Sequence, residues 1–252
     1  MRVSDRCYAV TGLGYSPPWC VNAGIITGDE TTLVIDTGAN RLAAQTLYGY
    51  ASAARPGNRL QVINTEKHFD HIGGNSFFRE QGVDIWGHFG IARSPQEFQA
   101  ELAEFNSLIP NPARRLAGEE AVFFFGTECA NPNRRIDADT RLDLGGCEVD
   151  ILLTPGHTPA NISVWLPNER VLFTGDCLIA KYLPNLDAGR PSDWRTWLAS
   201  LDRLESLDAQ VVMAGHGPVA RGPEVRAMIA RVREVLHESI ARLFANSVVN
   251  RA

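Results

Sequence analysis

Four times along this chain an apolar run ends beside glycine or proline, and a histidine or carboxylate stands at the break. The first is "LQVINTEKHFDHIGGN", which carries Glu66, His68, Asp70 and His71. The others are "ILLTPGHT" with His157, "VLFTGD" with Asp176 and "VVMAGHG" with His216. Four of the chain's six histidines fall in these breaks. Loops at strand ends are where a rigid sheet can aim side chains at one point. Imidazole and carboxylate are the ligands that borderline and harder divalent metals accept. A lone histidine beside glycine is usually a turn residue. Four breaks of one kind are hard to obtain by chance, and they constrain the chain to a set of strands whose ends converge.

The intervening sequence alternates short β-rich runs with helical spacings, the rhythm of an α/β protein. "AGIITG" and "TTLVIDTG" read as strands joined at Asp29-Glu30, and "RLAAQTLYGYASAARPG" as a helix closed by Pro56-Gly57. "RLQVIN" is a buried strand, "GGNSFFREQG" a helix ending at Gly82, and "VDIWGH" the next strand. "SPQEFQAELAEFNSLI" has a serine N-cap signal and helical spacing. "NPARRLAGEE" and "ECANPNRRID" read as loops that could wall or cover a site. Hairpins are expected at Gly145-Gly146 and at Pro167-Asn168, and a capped amphipathic helix in "SDWRTWLASLDRLESL". A last helix, from about Pro223 to Ala245, places Val225, Met228, Ile229, Val232, Val235, Leu236, Ile240, Leu243 and Phe244 on one face. No linker or low-complexity segment interrupts residues 1–252, so one domain is expected.

Composition narrows the function classes. The formal charge is −5 and no basic run or aromatic-interleaved basic patch occurs, which argues against nucleic acid as a partner. "MRVSDRCYAVTGLGY" lacks the apolar core of a signal peptide. No apolar run approaches the ~18 residues of a membrane span. The five cysteines are widely spaced without a C-x-x-C pair. A reducing cytoplasm, no membrane association and a small-molecule partner are the expectations.

The breaks carry a resemblance. The metallo-β-lactamase superfamily has the signature H-x-H-x-D-H, which this chain writes "EKHFDH", followed by "IGGN"; "PGHTPANISVW", "LFTGDCL", "VVMAGHGP" and the early "LVIDTG" match its later and earlier motifs. The resemblance runs from about residue 22 to 220. It implies an αββα sandwich of two related halves with a dinuclear metal site at one edge of the sheets. It also implies a ligand set. Glu66, His68 and His157 would hold one ion; Asp70, His71 and His216 would hold the other; Asp176 would bridge them. Zinc is the first expectation, with iron or manganese as alternatives. A metal-bound hydroxide would attack a small acyl substrate, a β-lactam, lactone, thioester or ester, with Asp70 orienting the water.

The departure is Glu66, where the family carries histidine. With histidine, the ligands bring two negative charges, from Asp70 and Asp176; glutamate makes three. Two divalent ions and a hydroxide then sum to zero instead of plus one. Such a site acidifies water and polarises a carbonyl less, and leans toward harder ions. Two alternatives stand beside a ligating Glu66: a single-metal hydrolase with Glu66 as general base, and a di-iron oxidoreductase. A binding module that has lost its activity is the rival outside enzymes; it predicts little bound metal.

Other residues carry weaker signals. Lys181 and Tyr182 follow the Asp176 motif, where a lysine could hold a substrate carboxylate and a tyrosine donate to an oxyanion. Cys177 reads as a small buried neighbour of Asp176, and His88 as a structural group. Asp36 is expected to hydrogen-bond the metal loop. His237, Trp194 and Trp197 are expected to serve packing or solvent faces.

Overall fold

The computed structural model describes residues 1–13, 20–108 and 123–249. Two six-stranded sheets stack face to face. The first runs in the order β1 (Cys7–Leu13), β2 (Val21–Thr27), β3 (Thr31–Ile35), β4 (Arg59–Asn64), β5 (Asp84–His88), β6 (Arg134–Ile136). The second runs β12 (Ala220–Arg221), β11 (Val211–Ala214), β10 (Val171–Gly175), β9 (Ile162–Leu166), β8 (Glu148–Leu153), β7 (Thr140–Asp143).

Within the sheets the connections follow what lies between strands. β3, β4, β5 and β6 are parallel, because helical segments cross back between them: α1 (Arg41–Ala54), then α2 (Phe69–Ile72) with α3 (Asn75–Glu80), then α4 (Pro95–Leu108). β10 and β11 are parallel around α5 (Pro191–Ser206). The glycine and proline breaks instead give antiparallel hairpins, β7 with β8 and β9 with β10. α6 (Pro223–Val249) closes the second sheet.

Strands with apolar residues on both faces require cover on both. On β3, Leu33 and Ile35 join Val149, Ile151, Val171 and Phe173 between the sheets, while Val34 turns outward to Leu47, Phe77 and Phe78 of the helices. On β10, Leu172 turns outward to Trp197, Leu201, Ile229 and Val232. The layers are therefore helix, sheet, sheet, helix, the αββα sandwich that the motifs implied.

Local chemistry sets the helix ends. The Asn40 side chain accepts the Ala43 N–H at 2.8 Å and starts α1. α5 begins two residues earlier than a cap at Ser192 suggests, after Arg190, and Asp193 returns its carboxylate to the Arg190 N–H at 2.8 Å. Three details differ from the sequence expectation. β1 is an unanticipated edge strand. "RRI", read as loop, pairs with β5 as β6, because its backbone completes an otherwise open edge. The buried stripe of α6 runs from Val225 to Leu236, whereas Leu243 is 42% exposed, since the helix outruns the sheet beneath it. The side chain of Phe244 and the loop at 111–120 lie outside the described residues.

Gly24 faces Phe173 across the sandwich: a Cβ there would lie 2.4 Å from the ring. Gly24→Ala is expected to cost about 1–3 kcal/mol by overpacking. In urea unfolding, the Gly24→Ala/Phe173→Leu double variant should lose less than the sum of the two single losses. Strict additivity would show that the contact does not exist.

Candidate metal centre

The C-terminal ends of β4, β10 and β11 open onto the same edge of the stack. β4 delivers Glu66 and His68, α2 presents Asp70 and His71, the β8–β9 connection carries His157, and β10 and β11 end at Asp176 and His216. The two sheets are tied together at this edge. Ile162 N–H donates to the Thr65 carbonyl at 2.8 Å, and Asn22 N–H donates to the Gly215 carbonyl at 2.8 Å. The Asn22 side chain also donates to the carbonyls of Ala214 at 2.9 Å and Gly217 at 2.8 Å. Glycine is needed at 215, where a Cβ would sit 1.9 Å from Oδ1 of Asp176.

All seven side chains meet. Their donor atoms fall into three sets, each within 4.8 Å: Glu66 with His68 and His157; Asp70 with His71 and His216; and Glu66 with His71 and Asp176. Oε2 of Glu66 is 2.6 Å from Nδ1 of His68, and Oε1 is 3.2 Å from Nε2 of His71 and 3.5 Å from Nε2 of His157. Asp176 reaches His71 at 3.4 Å, His157 at 3.6 Å and His216 at 3.3 Å. Both carboxylates thus face imidazoles of both three-residue groups. Asp70 lies 3.3 Å from Nε2 of His216.

The cluster is buried and electrostatically unfinished. Glu66 and His71 are wholly inaccessible, and His157 is 1% exposed. Both oxygens of Glu66, Nε2 of His71 and Oδ1 of Asp176 are close to neighbours yet make no hydrogen bond. Leaving buried polar atoms unpaired is costly. A cation satisfies them together, so the donor set fits divalent metal. Without one, His68, His71 and His216 hold protons. Burial opposes charge on His68, but Glu66 outweighs it and lifts the imidazole to about 9. Burial likewise opposes charge on His216, and Asp176 and Asp70 lift it to about 11. Burial opposes ionisation of Glu66 too, yet His68, His157 and His71 hold its carboxyl well below the usual range.

Neighbouring groups fix ring orientations. Asp36 accepts the Thr65 N–H and O–H, each at 2.7 Å, and lies 2.9 Å from Nδ1 of His71. This leaves Nε2 of His71 to face the cluster. Asp36 adopts φ +61°, a strained conformation for a non-glycine residue that these contacts hold in place. The carbonyl of Cys20 is 2.9 Å from Nδ1 of His216. Trp197 packs edge-on against His157 at 5.7 Å and donates its N–H to the Cys177 carbonyl at 2.9 Å.

A cavity of about 340 Å³ opens above the cluster. Tyr182 lines it together with His68, Asp70, His157, Asp176 and His216. Lys181, at φ +75°, instead lines a neighbouring cavity with Pro218, Glu224 and Arg231. Cys177 is buried outside the three donor sets, and burial pushes its thiol to about 12. His88 accepts the Gly90 N–H through Nδ1, away from the cluster. The sequence reading missed Thr65 and the cavity wall formed by Phe69, Phe105 and Leu183. Phe69 lies inside the motif, and Glu101 and Phe105 recur one helical turn apart on α4, which was the available signal.

Known proteins resemble this chain in sequence and in fold. A model of the metallo-beta-lactamase superfamily matches residues 17–216. The chain is 31% identical over 163 residues to hydroxyacylglutathione hydrolase GloC of Haemophilus influenzae, covering 64% of this chain and 69% of that protein. It is 28% identical over 107 residues to the beta-lactamase-like protein 2 homolog of Caenorhabditis elegans, covering 42% of this chain but only 33% of that protein. Among solved structures, the metallo-beta-lactamase from Pontibacter korlensis superposes with a TM-score of 0.68 at 22% identity, over 94% of this chain and 97% of that one.

Two outcomes are expected. Because neighbouring carboxylates keep His68, His71 and His216 protonated at neutral pH without metal, cation binding should expel about three protons, and affinity should rise as pH rises from 6 to 9. Calorimetry in buffers of differing ionisation enthalpy measures this; pH-independent affinity would contradict it. Asp36→Asn, which tolerates the same backbone conformation, should bind divalent cations about 10–100-fold more weakly in chelator competition, by loosening His71.

Proposed function

Because the chain belongs to the metallo-β-lactamase superfamily, we propose that it is a metal-dependent hydrolase of a small acyl substrate, working with two divalent ions. The observation that carries the reading is the buried convergence of seven ligand-type side chains beneath an open cavity. His68, His157 and Glu66 would hold one ion, and Asp70, His71 and His216 the other. Asp176, which faces both groups, would join them. Zinc is the first candidate; the three carboxylates make iron or manganese acceptable. Bound there, the ions supply Lewis acidity and a water acidic enough to react near neutral pH.

The residues account for the rest. In hydrolysis the water oxygen bonds to the carbonyl carbon, the bond to the leaving oxygen, sulfur or nitrogen breaks, and a water proton ends on the leaving atom. Asp70 lines the cavity, where its carboxylate can orient that water and hold the proton in transit. Tyr182 lines the cavity, where its hydroxyl would donate to oxygen that gains charge. Glu66 has no surface in the cavity, and both its oxygens face imidazoles. That supports a ligand rather than a general base, and favours the two-ion reading over the single-ion one.

Chelation followed by zinc addition should abolish and then restore hydrolysis of chromogenic esters, thioesters or lactams. Metal analysis of Glu66→Gln should show loss of about one of two ions, while Glu66→His retains both. Full stoichiometry in Glu66→Gln with activity lost would assign Glu66 to proton transfer instead.

A further inference from the structure

The cavity wall restricts what can be hydrolysed. Phe69 on α2 and Phe105 on α4 stand with ring centroids 4.6 Å apart, and Ile179 and Leu183 also line the cavity. Leu183 is 67% exposed at its mouth, an apolar side chain held toward water beside an open site. The charged group that the wall contributes, among the described residues and apart from the ligand cluster, is the carboxylate of Glu101. Arg93 stands 2.6 Å from Glu101, and its other guanidinium nitrogen donates to the Lys67 carbonyl at 3.1 Å. That cation is therefore already committed. Lys181 is directed to the neighbouring cavity, with Glu224 and Arg231. At the floor, Glu66 supplies a third carboxylate where the family signature has a neutral imidazole.

Wall and floor act on a substrate in the same direction. A carboxylate on the substrate would meet the negative end of the Glu101–Arg93 pair on one side and a metal centre of reduced positive charge on the other. An alkyl chain laid along Phe69, Phe105, Ile179 and Leu183 would leave water at a gain of about 25 cal/mol per Å². We infer that the substrate is an uncharged ester or lactone with an apolar acyl chain, not an acyl compound whose chain carries a carboxylate. This rests on the hydrolase reading above and narrows it.

Zinc-loaded protein can be assayed with p-nitrophenyl octanoate, p-nitrophenyl acetate and the mono-p-nitrophenyl ester of octanedioic acid, which adds a terminal carboxylate to a chain of the same length. The octanoate should exceed both others in kcat/KM by about tenfold or more. Glu101→Gln, which releases Arg93, should shrink the gap between octanoate and the carboxylate-bearing ester; Phe105→Ser should shrink the gap between octanoate and acetate. Equal or faster turnover of the carboxylate-bearing ester by the unaltered protein would overturn the inference. Octanamide and octanedioic acid monoamide, titrated calorimetrically into the same protein, decide the matter without turnover. Tighter binding of the neutral amide supports an apolar, anion-averse cavity; tighter binding of the acid overturns it. Absence of hydrolysis of these esters and of the chromogenic thioesters and lactams, alongside preferential binding of the neutral amide, would refute the hydrolase reading and leave the cavity assignment standing.

Discussion

Three carboxylates and four imidazoles packed into one largely buried cluster form the constraint on which this structure depends. Charges of one sign cannot be gathered away from water unless charges of the other sign come with them. In the protein alone His68, His71 and His216 supply that charge by holding protons, since the neighbouring carboxylates displace all three upward. Divalent cations supply it more completely, because they also satisfy the atoms of Glu66, His71 and Asp176 that make no hydrogen bond. The cluster is thus poised between two ways of neutralising itself, and protons and metal compete for the same lone pairs.

The sandwich exists to make such a cluster tolerable. Each sheet is covered on both faces, so its strand ends cannot wander, and main-chain and Asn22 hydrogen bonds fasten one sheet to the other at the edge that matters. Around this edge the supports are short and specific. Asp36 positions His71 and the Thr65 backbone, the Cys20 carbonyl faces His216, and Trp197 backs His157. Close approach leaves no room for a side chain at Gly215. Rigidity and proximity are one property here: groups held a few ångströms apart in low dielectric interact strongly because they cannot relax away.

Glu66 illustrates how one substitution changes a site without dismantling it. It keeps the donor position that the family signature gives to histidine, but two oxygens reach where one nitrogen would, and they face His68, His71 and His157 together. The extra negative charge belongs to the centre itself. With ions bound it would bear on metal preference and on the charge of acceptable substrates alike, and the aromatic wall with Glu101 is the basis of the substrate proposal.

Much was legible in the residue order. Hydrophobic periodicity and glycine breaks are local signals, so the strands, the hairpins, α1, α5 and the placement of the seven ligand-type residues at strand ends could be read directly. So could the family, whose motifs this chain carries with one exchange. Weak or short pairings were not legible: β1 and β6 owe their form to the neighbours that hydrogen-bond them, and the far end of α6 loses its cover only because the sheet beneath it stops. The chain by itself determined which chemical groups are present and that their backbone positions fall at breaks between strands. Tertiary structure alone decided that both oxygens of Glu66 turn inward, that Tyr182 faces the cavity while Lys181 beside it turns to another, and that Arg93 is spent on Glu101. Those outcomes depend on contacts between residues far apart in sequence, and no local pattern encodes the direction in which a side chain meets them.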